Sequence, residues 1–262
     1  MMEYSIELIV VLFLIGAIGS AVSGMVGIGG TIIKYPLLLY IPPLLGLGAF
    51  TAQEVSAISA VQVFFATLAG MVVFKKGGYI HGKLVAYMGI SIVIGSFAGG
   101  YGSKYLPDDA INFVYAILAL AAAVMMLFPK KGDEEGEEIR DFNKWIAVPA
   151  AFIIGVASGI VGAAGAFITV PVMLVLLKIP TRVAIGSSLA ITFISSIGST
   201  AGKLLSGHML LVPSVVMVVA SLIAAPLGAK WSGRLNTKVL QTILLFLICG
   251  TVIKIWYEIL FV

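Results

Sequence analysis

The chain holds one cysteine, Cys249, and few charges of either sign, with 16 Lys and Arg and 12 Asp and Glu in 262 residues. A single cysteine excludes an intrachain disulfide and a thiolate metal cluster. Its apolar setting, LLFLICGTVI, reads as a small packing residue. Charged residues make up 11% of the chain, against roughly 25% in soluble domains. A deficit that large, spread along the whole length, excludes an ordinary soluble core. The net charge of +4 forms no basic cluster on a folded face, which argues against a nucleic-acid partner. Acidic residues are missing from the middle of every apolar run, so the carboxylate pairs of an intramembrane hydrolase are missing as well.

What is abundant is apolar sequence: 60% hydrophobic residues and a mean hydropathy of +1.13. Apolar segments fall at about 5–26, 31–45, 55–74, 84–103 and 109–128, then at about 145–162, 166–177, 183–202, 209–229 and 239–262. Several reach the roughly 20 residues that a helix needs to cross about 30 Å of hydrocarbon. The fold class is therefore an all-α polytopic membrane protein. The first run carries Glu3 and Glu7 where a secretion signal is basic, so it is expected to remain as a span.

Between the two sets of five lies PKKGDEEGEEIRDFNK (129–144), the one stretch dense in charge. Five segments, a linker and five more predict a duplication, with repeats at 1–128 and 145–262. SGMVGIGGTIIKYP (23–36) aligns without gaps to SGIVGAAGAFITVP (158–171), 135 residues on. VSAISAVQVFF (55–65) matches VAIGSSLAITF (183–193), with Ser59 opposite Ser187 and Lys75 opposite Lys203, and GSKY (102–105) matches GAKW (228–231). An odd number of segments inverts the second copy. Equivalent loops agree, each being basic in one half and poor in base in the other. Lys75, Lys76 and Lys83 stand against Lys203 alone, Lys178 and Arg182 against none, and Lys230, Arg234 and Lys238 against Lys104. Placing basic loops inside puts 75–83, 178–182, 230–238 and the linker in the cytoplasm, with both termini outside.

The glycine-dense 23–36 stretch is not a nucleotide loop. It has no Lys-Ser/Thr pair after its last glycine and no βαβ setting. Its glycines and Pro36 would stop, unwind or closely pack a helix. Such breaks at membrane depth line cavities, with helix N-termini offering N–H groups to anions. Close small-residue packing of helices is the competing reading. Segments 31–45 and 166–177 are short for full spans.

Two such S-G-x-x-G-x-x-G-x-x-x-x-x-P elements in a chain of this layout resemble the TauE/SafE family of sulfite and organosulfonate exporters, over nearly the whole length. The resemblance implies a transporter of the cell (inner) membrane. Its cargo would be a small sulfur-containing anion such as sulfite, sulfoacetate, thiosulfate or a sulfonate. No ATP-binding element is evident, so an ion gradient, a coupling proton included, or the cargo's own gradient supplies the drive. No cofactor and no metal are expected. The expected mechanism is alternating access around a midplane site where the glycine hairpins meet, with Gly27, Gly29, Gly30 and Thr31 of one copy and Gly162, Ala164, Gly165 and Ala166 of the other around the anion. Ala164 stands where the first copy has Gly29, so the two halves need not contact the cargo equally.

Lys34, whose counterpart is Thr169, is an intramembrane cation that either faces the anion or snorkels. Ser59 and Gln62, with Ser187 and Ser188, are candidate cavity hydroxyls and amide; Thr67, Thr192 and Ser195 share the stretch. Each serves helix packing equally well. His81 and His208 fall in loops on opposite sides, and Trp145, Trp231 and Trp256 near segment ends read as interfacial anchors. A passive anion channel and an intramembrane enzyme are the alternatives.

Overall fold

A computed structural model describes residues 4–26, 31–76, 78–127, 142–163, 165–232 and 234–236, and twelve scattered positions between 238 and 257. The helices are α1 (Ile6–Val26), α2 (Thr31–Leu44), α3 (Ala52–Lys76), α4 (Gly82–Gly102), α5 (Asp108–Leu127), α6 (Lys144–Val161), α7 (Ala166–Val175), α8 (Thr181–Ser206) and α9 (Leu211–Ser232), with a single 3₁₀ turn at Ser103–Tyr105. The described residues between 238 and 257 are helical too. Helix and apolar segment coincide nearly one for one, because a span in lipid must satisfy its own backbone groups.

Among the described residues seven helices are long and apolar enough to cross a membrane. α2 and α7, with 14 and 10 residues, reach only about 21 and 15 Å at 1.5 Å per residue. They are the two segments whose length falls short, and each follows a glycine stretch.

α3 and α8 form the centre. They run antiparallel: Phe64 meets Phe193 with ring centroids 5.2 Å apart, while Gly70, further along α3, faces Leu189, earlier on α8. Around them α1 packs on α9 and α6 on α4, and α3 and α8 pack on α9 and α4 respectively. The closest approaches are reciprocal. A Cβ on Gly228 would lie 1.8 Å from the Ala21 carbonyl oxygen, and one on Gly99 would lie 2.0 Å from that of Val156. Likewise a Cβ on Gly24 would meet the Ala225 oxygen at 2.1 Å, and one on Gly159 the Ser96 oxygen at 2.3 Å. Val156 follows Ala21, and Gly159 follows Gly24, by 135 residues, while Gly228 follows Gly99, and Ala225 follows Ser96, by 129. Packing thus pairs α4 with α9 three residues away from the match of GSKY with GAKW, since backbone contact, not residue likeness, fixes the register. With no large polar–apolar contrast to drive association in lipid, such small-residue contacts are what hold spans together.

One end of the bundle collects the basic loops. There the His81 amide donates to Ser187 Oγ (2.9 Å), Arg182 Nη2 donates to the Leu235 carbonyl (3.0 Å), and Lys144 Nζ sits 4.8 Å above the Tyr87 ring. The other end carries Asp108, Asp109 and Glu54, with Gln53 donating its amide to Asp108 Oδ1 (3.1 Å) and its side chain to the Leu106 carbonyl (3.0 Å). Lys203 departs from the sequence reading. It is not a loop residue but the buried last turn of α8, 1% exposed.

α2 is a helix that holds three prolines. Pro36 has no N–H, so the Ile32 carbonyl four residues back loses its helical donor. The Tyr115 hydroxyl of α5 donates to that carbonyl at 2.8 Å. The ring of Tyr115 stacks on Tyr35 at 4.5 Å, and Tyr35 donates its own hydroxyl to Asn112 Oδ1 at 2.9 Å. Tyr115→Phe keeps the stack but removes the hydroxyl's bond to the Ile32 carbonyl, a loss of about 0.5–1.5 kcal/mol. Its thermal melt in detergent is expected several degrees below wild type, and an unchanged melt would refute the role given to the hydroxyl.

Candidate anion site

The first glycine stretch leads into α2, and the site begins with the fourth residue of that helix. Lys34 is fully buried. Its Nζ donates to Gln62 Oε1 of α3. Gln62 in turn donates through Nε2 to Ser20 Oγ at 2.6 Å and, more weakly, to the Gly16 carbonyl at 3.5 Å, both on α1. Gly19 makes the slot: a Cβ there would stand 2.1 Å from Lys34 Cγ and 2.5 Å from Cδ. Lys34 therefore does not snorkel; α1 and α3 hold its stem and its amine inside the bundle. Among the described residues no carboxylate pairs with it. A buried ammonium without a counter-charge is costly.

Polar side chains on the same helices are likewise unmet. Thr31 Oγ1, Ser23 Oγ and Ser59 Oγ are buried without a protein hydrogen-bond partner. Thr31 is the first residue of α2, so its hydroxyl lies at the positive end of the helix dipole.

In the second copy α6 ends at Gly162, which has φ of 75°. The Gly162 amide bonds back to the Gly159 carbonyl (3.2 Å) and the Ala163 amide to the Ser158 carbonyl (3.0 Å), the paired closure typical of a left-handed glycine cap. Gly165, at φ of 72°, then starts α7 with no side-chain acceptor capping it. Thr169, the counterpart of Lys34, spends its hydroxyl on the Gly165 carbonyl at 2.6 Å. The break read from sequence is thus real here, and it leaves the first-turn amides at Ala166 without a side-chain cap.

Of the residues expected from sequence, Lys34, Gln62, Thr31 and Ser59 are buried on the adjoining helices α2 and α3, and Gly162, Gly165 and Ala166 form the α6–α7 break. Ser187 is occupied at the basic end by the His81 amide, and Ser188 returns its hydroxyl to the Ile185 carbonyl at 2.8 Å. Gly27, Gly29, Gly30 and Ala164 lie outside the described residues. Sequence reasoning missed Gly19, Ser20 and Gly16, which supply the slot and the second partner of Gln62. Their signal is faint, since i, i+3, i+4 small residues on an apolar helix are ubiquitous. It missed the buried position of Lys203 as well.

The family model of "Sulfite exporter TauE/SafE" matches residues 12–255. The chain belongs to this family. Relatives of the TauE/SafE chain agree over most of their length. "Probable membrane transporter protein YunE" of Bacillus subtilis is 23% identical over 252 residues, 90% of this chain and 92% of its own. "Probable membrane transporter protein YdhB" of the same organism is 25% identical over 244 residues, covering 90% and 93%. "Probable membrane transporter protein MJ0441" of Methanocaldococcus jannaschii is 24% identical over 247 residues, 90% of each chain. No solved structure matches the TauE/SafE chain. The protein is a multi-pass membrane protein of a transporter family, and the resemblance read from the two glycine elements is borne out.

Proposed function

We propose that this chain is a secondary transporter for a small sulfur oxyanion or organosulfonate, of the sulfite, sulfoacetate and thiosulfate class, working by alternating access. The observation that carries the reading is Lys34: a fully buried lysine amine hydrogen-bonded to Gln62, with no carboxylate partner among the described residues. The cargo supplies the missing negative charge. Uncapped amides at a glycine break and the unmet hydroxyls of Thr31 and Ser59 support the same sign of ligand, since both can donate.

The moving parts in this reading are two inverted repeats, 1–128 and 145–262, joined by the polar linker. Reciprocal close approaches of α1 with α9 and α6 with α4, and the antiparallel α3 and α8, support it. By the positive-inside rule the basic end faces the cytoplasm together with the linker, and both termini face outward across the inner membrane. In this reading the α6–α7 break at Gly162, Gly165 and Ala166 and the start of α2 at Thr31 offer donors to the cargo, while Ser187 and Ser188 are engaged by other partners.

Proteoliposomes holding the purified chain will take up labelled sulfite or thiosulfate with saturation, and an excess of unlabelled anion inside will accelerate entry of label. Linear, non-saturating flux without counterflow is the signature of a passive channel and would replace the carrier reading.

A further inference from the structure

α8 bears a second polar feature that the Lys34 site does not use. Ser188, Thr192, Ser195, Ser199 and Lys203 follow one another at steps of four, three, four and four, which places them on one helix face. All five are buried, none more than 1% exposed.

Three hydroxyls of this face are unmet in a row, where elsewhere Ser23, Thr31, Ser59 and Thr200 are unmet singly. Serines and threonines inside apolar helices ordinarily return the hydroxyl proton to a carbonyl one turn back. Thr67, Ser188, Ser196, Ser214 and Ser221 all do so, at 2.6–2.8 Å. Thr192, Ser195 and Ser199 do not; each oxygen is buried without a protein partner. Three consecutive members of one face are therefore turned away from their own backbone.

The row ends on a lysine amine. Lys203 Nζ donates to Ser103 Oγ at 2.7 Å and to the Ile160 carbonyl at 2.8 Å. Ser103 passes its own proton to the Gly100 carbonyl at 2.7 Å, so it acts as acceptor toward the lysine. An ammonium carries three donors, and these contacts use two. Among the described residues no carboxylate pairs with it. Ser199, one turn earlier on the same helix face, carries a buried hydroxyl without a protein partner. The position is far from the first lysine along the bundle: Lys34 lies against α1 and the middle of α3, whereas Lys203 lies in the last turn of α8 beside α6 and the 3₁₀ turn.

We infer that Lys203 with Ser199 and Ser195 forms a second anion position, at the acidic end of the bundle and separate from the one at Lys34. It takes the same class of ligand, a small oxyanion whose oxygens accept from one ammonium and from successive hydroxyls. This rests on the transporter reading, and gives it two stations: one cation on α2 in the first half of the chain, one on α8 in the second. The row Thr192–Ser195–Ser199 is the polar track that leads toward Lys203 from the centre of α8.

Equilibrium dialysis of the purified full-length chain against labelled thiosulfate, with sulfite and methanesulfonate as competitors, tests this. Wild type is expected to bind two anions per chain and Lys203→Met one, while Lys203→Arg keeps the charge and retains the second. Ser195→Ala with Ser199→Ala removes no charge and little volume, and is expected to weaken the second binding event about tenfold while the first stays unchanged. One anion per wild-type chain, unaltered by Lys203→Met, would overturn the second position and leave the transporter reading standing. No binding of any of the three anions to wild type would overturn both. Should Lys203→Met fail to yield a monodisperse protein, the double serine variant decides, and unchanged binding there overturns the proposal.

Discussion

Gly162→Ala is expected to leave almost no folded protein. Two independent penalties meet at this one residue. Its φ of 75° is a backbone conformation in which an L side chain costs about 1–2 kcal/mol. A Cβ built there would also lie 1.8 Å from the Ser56 carbonyl oxygen and 2.6 Å from the carbonyl carbon, so it cannot be accommodated by rotating a side chain. Either α3 moves off the α6–α7 turn, or the turn gives up the bonds from the Gly162 and Ala163 amides that close α6. Effects above about 4 kcal/mol are exceptional for one substitution, and a clash of backbone with backbone is among the few ways to reach them. Size-exclusion chromatography in detergent should show aggregate in place of the wild-type peak. Gly102→Ala makes the control, because a Cβ there meets nothing within 4 Å. That variant should run and melt like wild type. A Gly162→Ala protein that is monodisperse with a normal melt would mean that α3 and the turn are not tightly joined.

Much of this was legible in the sequence. Apolar runs of span length located the helices to within a few residues, because lipid permits little else than helix. The pair SGMVGIGGTIIKYP and SGIVGAAGAFITVP located both short helices, and in the second copy the break itself, which Gly162 and Gly165 make with positive φ while Pro171 lies inside α7. Gln62 could be singled out because a buried amide demands a partner.

The remainder was illegible for a physical reason. Whether Lys34 turns inward or snorkels depends on whether a neighbouring helix leaves room for its stem. That room is made by the absence of a side chain at Gly19, fifteen residues away on another helix. Lys203 shows the opposite error. Its distance from the end of an apolar run suggested a loop, but the run is longer as a helix than as a hydropathy segment. Ser103 and the Ile160 carbonyl, acceptors contributed from elsewhere in the chain, let the ammonium stay inside. Acceptors of this kind are invisible until tertiary packing supplies them.

Lys34→Met should abolish high-affinity transport while leaving the protein as stable as wild type, or more so. Removing a cation that has no counter-charge takes away a desolvation cost, and methionine fills nearly the same channel. Gln62 loses the donor to its Oε1 but keeps Ser20 through Nε2, which limits the structural loss. For the anion the loss is larger. Two opposite unit charges about 4 Å apart attract by about 4 kcal/mol at an effective dielectric constant near 20. At 1.4 kcal/mol per tenfold, that corresponds to roughly three decades of affinity, reduced by whatever solvent enters the site. An apparent KM at least 100-fold higher, with an unchanged or raised melting temperature, is the expected pair of results. Gly19→Ala should reproduce the kinetic defect from a residue that donates nothing to an anion, because its methyl would occupy the space of Lys34 Cγ. Lys34→Arg should not rescue, since the planar guanidinium is wider than the slot that Gly19 leaves for a slim stem. If Lys34→Met instead aggregates while Gly19→Ala transports normally, Lys34 is a packing residue and the charge that meets the cargo must be sought elsewhere. A wild-type KM in a well-folded Lys34→Met protein would be still more decisive against the site. The transport assay and the melt together therefore separate a residue that binds from one that only packs.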